Sequence, residues 1–271
     1  MLITFDLDGV LQQNPFGRGV FPEVTAEIGE ILAVQAGLSS AKAAAAVMKM
    51  IREEALQRLL NGDYVGAYDW DDIINDVAKH VGSPQHFDVE KLVVKYCTPD
   101  YVWAYPHAAR VLAELSNTGI RLAVVTNGFY KYQNPVMEAI GLRQYFKKFI
   151  TPEMVGIVKP FPVIYHAAFQ DDDHFRLHVG DMIIHDVWGA AEAGLQPVWM
   201  VEETALEHKV KSLAPWERPY DESIKALVEL AVSNDPGVVA YPDVKVDDCT
   251  PYCIICDLRE VLDIVEYISR T

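Results

Sequence analysis

Leu2-Ile3-Thr4-Phe5-Asp6-Leu7-Asp8-Gly9-Val10 opens the chain, and the reading of this stretch decides the fold. Leu2 to Phe5 is a short apolar run of strand length, and it stops abruptly at two aspartates, one residue apart, followed by a glycine. Two carboxylates so spaced at a strand end face one cavity and suit a divalent cation. An aspartate there is a competent nucleophile toward phosphorus. A second carboxyl two residues on can protonate a leaving oxygen and later activate water. Alone, Asp-x-Asp-Gly is more readily a turn.

Outward from that strand the pattern turns helical, from about Pro22 to Lys95. Ser39 or Ser40 caps a helix through Ala43 to Leu60, with Val47, Ile51, Ala55 and Leu59 as one stripe and Asn61-Gly62 as its stop. A second helix is expected from about Trp70 to His80, behind the acidic cluster Asp69, Asp71 and Asp72. From Tyr105 the text alternates. Helices at Pro106 to Ser116, from Asn134-Pro135 to Gly141, at Pro162 to Gln170 and at Val187 to Ala193 separate short apolar strands. Those strands are Arg121 to Val125, Lys148 to Ile150, Arg176 to Val179 and Pro197 to Val201. This alternation predicts a parallel sheet covered on both faces. Between Glu202 and Asp248 the rhythm breaks into acidic, Pro-punctuated text around one helix near Ile224 to Val232. Tyr252 to Cys256 and Asp257 to Ser269 then restore it. The expected architecture is an α/β core of residues 1–14 and 100–271, with 202–248 as an insertion, and a helical domain at 15–99.

Three more stretches pair a strand end with polar residues. Val124-Val125-Thr126-Asn127-Gly128 offers a hydroxyl and successive backbone N–H groups to phosphate oxygens, though an Asn-Gly turn accounts for it equally well. Gly156-Ile157-Val158-Lys159-Pro160 sets a lysine where it can neutralise phosphate and an adjacent aspartate. Val179-Gly180-Asp181 leads to Asp186, a carboxylate pair suited to Mg²⁺. Each has a bland reading when met singly: a turn, a surface lysine, a helix cap. All four follow expected strands, in one order.

In that order the chain resembles the haloacid dehalogenase (HAD) superfamily. Its motifs are Asp-x-Asp after the first strand, a Thr or Ser after the second, a Lys, and a Gly-Asp-x-x-x-x-Asp type of acidic pair. Asp6 and Asp8, Thr126, Lys159, and Asp181 and Asp186 match them one for one. The resemblance implies a Rossmann-like parallel sheet with a helical cap inserted between the first and second motifs. It implies Asp6 as nucleophile and Mg²⁺ ligand, and Asp8 as general acid/base and carbonyl ligand. Thr126 and the backbone around Asn127 and Gly128 would hold the phosphoryl group, Lys159 would pair with Asp6 and with that group, and Asp181 with Asp186, directly or through water, would complete the metal site. Dehalogenase members lack the second aspartate, because a halide needs no proton; Asp8 therefore points to a phosphatase. The text around Thr126 and Lys159 is most similar to the nucleotidase and sugar-phosphate phosphatase branch, which implies a small phosphorylated metabolite as partner. Arg18 is expected to bind the substrate, and Gln12, Gln13, Asn14, Phe16, Tyr130 and Lys131 are candidates to touch the leaving group. A phosphomutase of the same superfamily, or a silent binding module, is the alternative.

Composition bounds this reading. Among 271 residues, 23 Lys+Arg stand against 39 Asp+Glu, a net charge of −16, which repels polyanions and anionic lipid. Neither a nucleic-acid polymer nor a membrane is an expected partner. No apolar run reaches the roughly 18 residues of a span, no export signal is visible at Met1 to Asp6, and four cysteines make no disulfide framework. A cytoplasmic protein is expected. Cys249, Cys253 and Cys256 are spaced suggestively, but on a strand from Tyr252 to Cys256 the last two face opposite sides, so packing is the expectation.

Overall fold

The computed structural model describes residues 1–270. The chain divides into two compact units: Met1–Gln12, Ala104–Asn127 and Gly141 onward form one, and Gln13–Trp103 with Gly128–Ile140 form the other.

The first unit holds a six-stranded parallel sheet of β1 (Leu2–Phe5), β2 (Arg121–Val125), β3 (Lys148–Ile150), β4 (Arg176–Gly180), β5 (Gln196–Met200) and β6 (Cys253–Ile255). The spatial order is β3-β2-β1-β4-β5-β6. The chain leaves β1 in one direction for β2 and β3, then returns to its other side for β4. In a sheet wound this way, ligands bind outside the carboxyl ends at the point where the order reverses, here between β1 and β4. The register confirms which residues meet there, because Phe5 lies opposite Val124 and Val179. The strands read as nearly continuous apolar runs because helices bury both faces, and Leu2, Ile3, Phe5, Leu177 and Val179 have no exposed surface.

Segment 202–248 belongs to this unit and is packed into it. The helix Glu222–Asn234 buries Ile224, Val228 and Val232 in a cluster with Ile183, Ile184, Val187, Trp199 and Ile254. Arg218, almost fully buried, pins the segment to the last strand. Its five N–H groups go to the carbonyls of Leu213, Lys211 and Ile254 and to both oxygens of Glu260. Cys249 and Cys253 are buried and Cys256 half-buried, all as free thiols, and burial pushes Cys249 and Cys253 up to about 12.

The second unit is helical: Phe21–Ala36, Ser40–Leu60, Trp70–Val81, Val89–Lys95 and Tyr130–Ala139. Val24, Ile28, Val47, Ile51, Ile73, Ile74, Val77, Val93, Tyr132 and Val136 share one core. The sequence places a helix start at Asn134-Pro135; the helix instead begins at Tyr130, with Pro135 inside it. Phe129 and Tyr132 are buried in the helical core, and the N–H groups of Tyr132 and Gln133 both bond Phe129 O, so packing winds a turn ahead of the proline. That packing also explains why Gly128–Ile140 sorts with the helical unit, although it follows β2 in the chain. Among the described residues, no single helix is long and apolar enough to cross a membrane.

Candidate active site

Three strand ends and one loop bring the chemistry together. Asp6 directly follows β1, Thr126 follows β2, and Asp181 follows β4. Lys159 comes from the loop after Pro152–Val155. Two glycines make the close approach possible. At Gly9, with φ of 84°, an added Cβ would collide with the Asp181 carboxylate, and at Gly180 it would collide with the side chain of Asp186. After Gly180 the backbone winds into a wide π-helical turn, Ile183–Trp188, instead of the α-helix Val187 to Ala193 expected from the sequence; a short helix, Gly189–Glu192, follows it. The turn sends Asp186 back beneath the strand end, where its Oδ2 accepts from the N–H of Met182 at 2.9 Å.

Among the described residues, Lys159 is the only buried cation at this centre, 3% exposed, and its Nζ donates to Asp6 Oδ1 at 2.7 Å and to Asp186 Oδ1 at 2.6 Å. Asn127 holds it by its backbone: Asn127 Oδ1 accepts from Lys159 N at 2.7 Å, and Asn127 Nδ2 donates to Lys159 O at 3.1 Å. Asp186 Oδ1 also meets His178 Nε2 at 3.0 Å, and His178 Nδ1 lies 2.8 Å from Thr4 Oγ1. Burial lowers His178, which favours the neutral ring, and Thr4 Oγ1 also donates to Leu177 O at 3.1 Å.

Carboxyl oxygens of Asp6, Asp181 and Asp186 lie within 4.8 Å of one another. Three carboxylates thus share one ammonium in a nearly dry site, and their proton affinities split accordingly. Burial raises Asp186, but Lys159 and His178 outweigh it and hold the group below the usual carboxylate range. Burial pushes Asp6 up to about 7 against the pull of Lys159, with Asp186 adding to the rise. Asp181 is pushed well up by burial and by Asp186 and Asp6. Lys159 stays charged, because Asp186 and Asp6 more than offset its burial. A divalent cation fits this set. Oxygen donors are what a hard ion takes, the buried Oδ1 of Asp181 has no hydrogen-bond partner, and two positive charges would balance the excess of carboxylates over the lysine.

The remaining expected residues are placed as follows. Asp8 is half-buried and accepts from Gln12 Nε2 at 3.0 Å. Thr126 is 3% exposed, its N–H bonded to Ile150 O. Gly128 and Arg18 belong to the helical unit, where Arg18 lies 5.0 Å above the Trp103 ring. Sequence reasoning missed His178 and Thr4. A histidine inside the apolar run Leu177-His178-Val179 was the available signal, since a buried strand tolerates it only with partners. It also missed Trp199, whose Nε1 donates to Asp181 O at 2.9 Å.

Comparison with known proteins bears on this arrangement. A glyceraldehyde 3-phosphate phosphatase of Pyrococcus abyssi is 30% identical over 151 residues, covering 46% of this chain and 61% of that protein. A pyrimidine 5′-nucleotidase of Escherichia coli is 32% identical over 112 residues, covering 40% of this chain and 47% of that protein. The chain therefore spans between about half and three fifths of these curated relatives. Among solved structures, an HAD phosphatase from Thermococcus onnurineus superposes with a TM-score of 0.58 at 25% identity, covering 76% of this chain and 89% of that one. A family model described as haloacid dehalogenase-like hydrolase matches residues 1–194, which hold Asp6, Asp8, Thr126, Lys159, Asp181 and Asp186, and the chain belongs to that family.

Proposed function

We propose that this protein hydrolyses a small phosphorylated metabolite, of the sugar-phosphate or nucleotide class, through an aspartyl-phosphate on Asp6. The observation that carries the reading is the ammonium of Lys159 held 2.7 Å from Asp6 Oδ1, beside three clustered carboxylates with an unpartnered oxygen. Phosphoryl transfer needs positioning and charge neutralisation above all. The relatives named as phosphatase and nucleotidase support the substrate class.

In this reading an Asp6 carboxylate oxygen attacks phosphorus, and the bond from phosphorus to the substrate oxygen breaks. The leaving oxygen takes its proton from Asp8. Asp8, now a carboxylate, removes a proton from water, whose oxygen attacks phosphorus and releases Asp6 and phosphate. Asp8 ends protonated, as it began. The Thr126 hydroxyl and the backbone N–H groups after it hold the phosphoryl oxygens, while Lys159 spreads their charge. Asp6, Asp8, Asp181 and Asp186 would hold Mg²⁺, which when bound supplies electrostatic stabilisation of the transferring group. The split between Asp186 and its neighbours gives each carboxylate its own work: Asp186 anchors Lys159 and keeps one oxygen mostly spent, whereas Asp181 keeps an oxygen open.

A panel of phosphomonoesters, with inorganic phosphate as readout, tests this. At least one sugar phosphate or nucleotide should be turned over, and chelation of divalent cations should lower the rate by on the order of 100-fold, restored by Mg²⁺. Isomerised product activated by a bisphosphate, with little phosphate released, would favour a phosphomutase instead.

A further inference from the structure

Segment 202–248, which the family resemblance leaves unexplained, reaches both turns that carry the buried ion pair. Asp235 is buried at the end of the helix Glu222–Asn234 and opens the tight turn Pro236–Val239. Its Oδ1 accepts from Gly237 N at 2.7 Å, and its Oδ2 accepts from Ile184 N at 3.1 Å. Ile184 lies at the start of the π-helical turn Ile183–Trp188, two residues before Asp186, where backbone N–H groups have no partner within the turn. Asp235 caps that turn from 51 residues away. Gly237 packs so near that a Cβ on it would stand 3.3 Å from His185 Cε1 and 3.5 Å from Ile184 Cγ2.

The same stretch touches the second turn. The Tyr241 ring meets His185 edge-on, with centroids 6.0 Å apart at 89°, and meets Phe161 at 5.8 Å and 79°. Phe161 is two residues past Lys159. Residues 235–241 therefore contact the neighbours of Asp186 on one side and of Lys159 on the other, and those two side chains are joined at 2.6 Å.

We infer that Asp235 and Tyr241 are positioning residues, holding the Asp186 turn and the Lys159 turn in register so that the lysine is shared between Asp186 and Asp6. What the held groups then do rests on the phosphatase reading; that they are held does not. A cap and an edge-on ring at the centre of packed apolar residues restrict two backbone turns at once, and an ion pair built from both is sensitive to either.

The test compares Asp235→Ala, Asp235→Asn, Tyr241→Ala and Tyr241→Phe with Val228→Ala, which loosens the apolar packing of the same segment against Ile183, Ile184 and Val187 but leaves the Asp235 cap and the Tyr241 ring in place. Asp235→Ala and Tyr241→Ala should each lose on the order of 10- to 100-fold in kcat, measured well below their melting temperatures, with KM changed by less than about threefold. Calorimetric titration with Mg²⁺ alone should show about a tenfold weaker affinity in both. Asp235→Asn keeps one oxygen for Ile184 N and should recover part of each loss, Tyr241→Phe should recover nearly all, and Val228→Ala should melt earlier with kcat kept. Unchanged kcat and Mg²⁺ affinity in both alanine variants would overturn the inference, as would an equal loss in Val228→Ala. Should Asp235→Ala fail to fold, Tyr241→Ala and Asp235→Asn decide the matter by the same readouts. If the wild type turns over no phosphomonoester, the functional reading falls while the Mg²⁺ titrations still judge the positioning.

Discussion

Each unit of this protein gathers carboxylates around one lysine, and the two gatherings serve opposite ends. In the helical unit, Lys131 pairs with Asp71 at 2.7 Å and Asp69 at 3.4 Å. Asp71 also accepts from Val89 N at 2.6 Å and lies 2.9 Å from the Tyr132 hydroxyl. These three charged side chains are each about one-third exposed, so water and local donors carry the charge. In the α/β unit, Lys159 and Asp186 are at most 3% exposed, and an oxygen of Asp181 is left with no donor. The lesson lies in solvent and donors rather than in the count of acids. Where both are available, an acidic cluster ties helices together. Where both are withheld, the carboxylates are driven apart in proton affinity, and an oxygen is left open that a divalent cation fits.

The sharpest way to break that comparison is Asp6→Asn. It should lower phosphate release by on the order of 10⁴-fold or more, because an amide is no nucleophile toward phosphorus. Far-ultraviolet circular dichroism and the melting temperature should hold or improve, since a crowded carboxyl has been neutralised. Turnover that survives the substitution would return the buried cluster to the same structural class as the one around Lys131.

Much of this was legible in the sequence, for physical reasons that differ by residue. The strand ends were readable because a parallel strand buried on both faces is an apolar run, and the polar residues that stop it stand out: Asp6, Thr126 and Asp181 were found that way. His178 was not, because its partners Thr4 and Asp186 come from an adjacent strand and from a turn whose π-winding no periodicity announces. The backbone around Asn127 is expected to hold phosphate; what the motif does not announce is the work of its side chain, which grips the Lys159 backbone across 32 residues. Segment 202–248 read as irregular because its order comes from Arg218, Asp235 and an apolar stripe that find partners only in the folded unit. The charge of −16 excluded polyanions but could not say which carboxylates are driven apart in proton affinity.

A second discriminating measurement is stability against pH in protein stripped of divalent cations. Asp6, raised from 3.8 to about 7 chiefly by burial, keeps its proton in the folded state over a range where the unfolded chain has lost it. The folded state then binds more protons, so stability falls as pH rises from about 4 to 7. Asp181, raised for the same cause, acts in the same direction. Asp186, held low, loses its contribution only on acidification below the unfolded value and leaves this window alone. His178 and His185, both held below their ordinary value by burial, oppose this below about pH 6.5. Thermal melting from pH 6.5 to 7.5 should therefore show the decline, worth about 1 kcal/mol, and saturating Mg²⁺ should flatten it by favouring the ionised carboxylates. A melting temperature that rises over that range in stripped protein would mean the carboxylates are not driven apart in this way.

The smallest effect separates the two clusters from the other side. Asp71→Ala removes the acceptor for Val89 N, for Tyr132 and for Lys131. Its cost should be roughly 1–3 kcal/mol, mostly from the Val89 backbone donor left unmet, because Tyr132 and Lys131 keep Asp69 at 3.1 and 3.4 Å and an ion pair this exposed contributes little. Chemical denaturation should report that loss as a lower midpoint at constant slope. The helices Trp70–Val81, Val89–Lys95 and Tyr130–Ala139 meet at this residue, so hydrogen exchange should quicken in those three segments first. Turnover per folded molecule should stay within about threefold, because Asp71 spends its charge on the fold. A rate loss comparable to that of Asp6→Asn would erase the distinction between a cluster that binds helices and one whose carboxylates are driven apart.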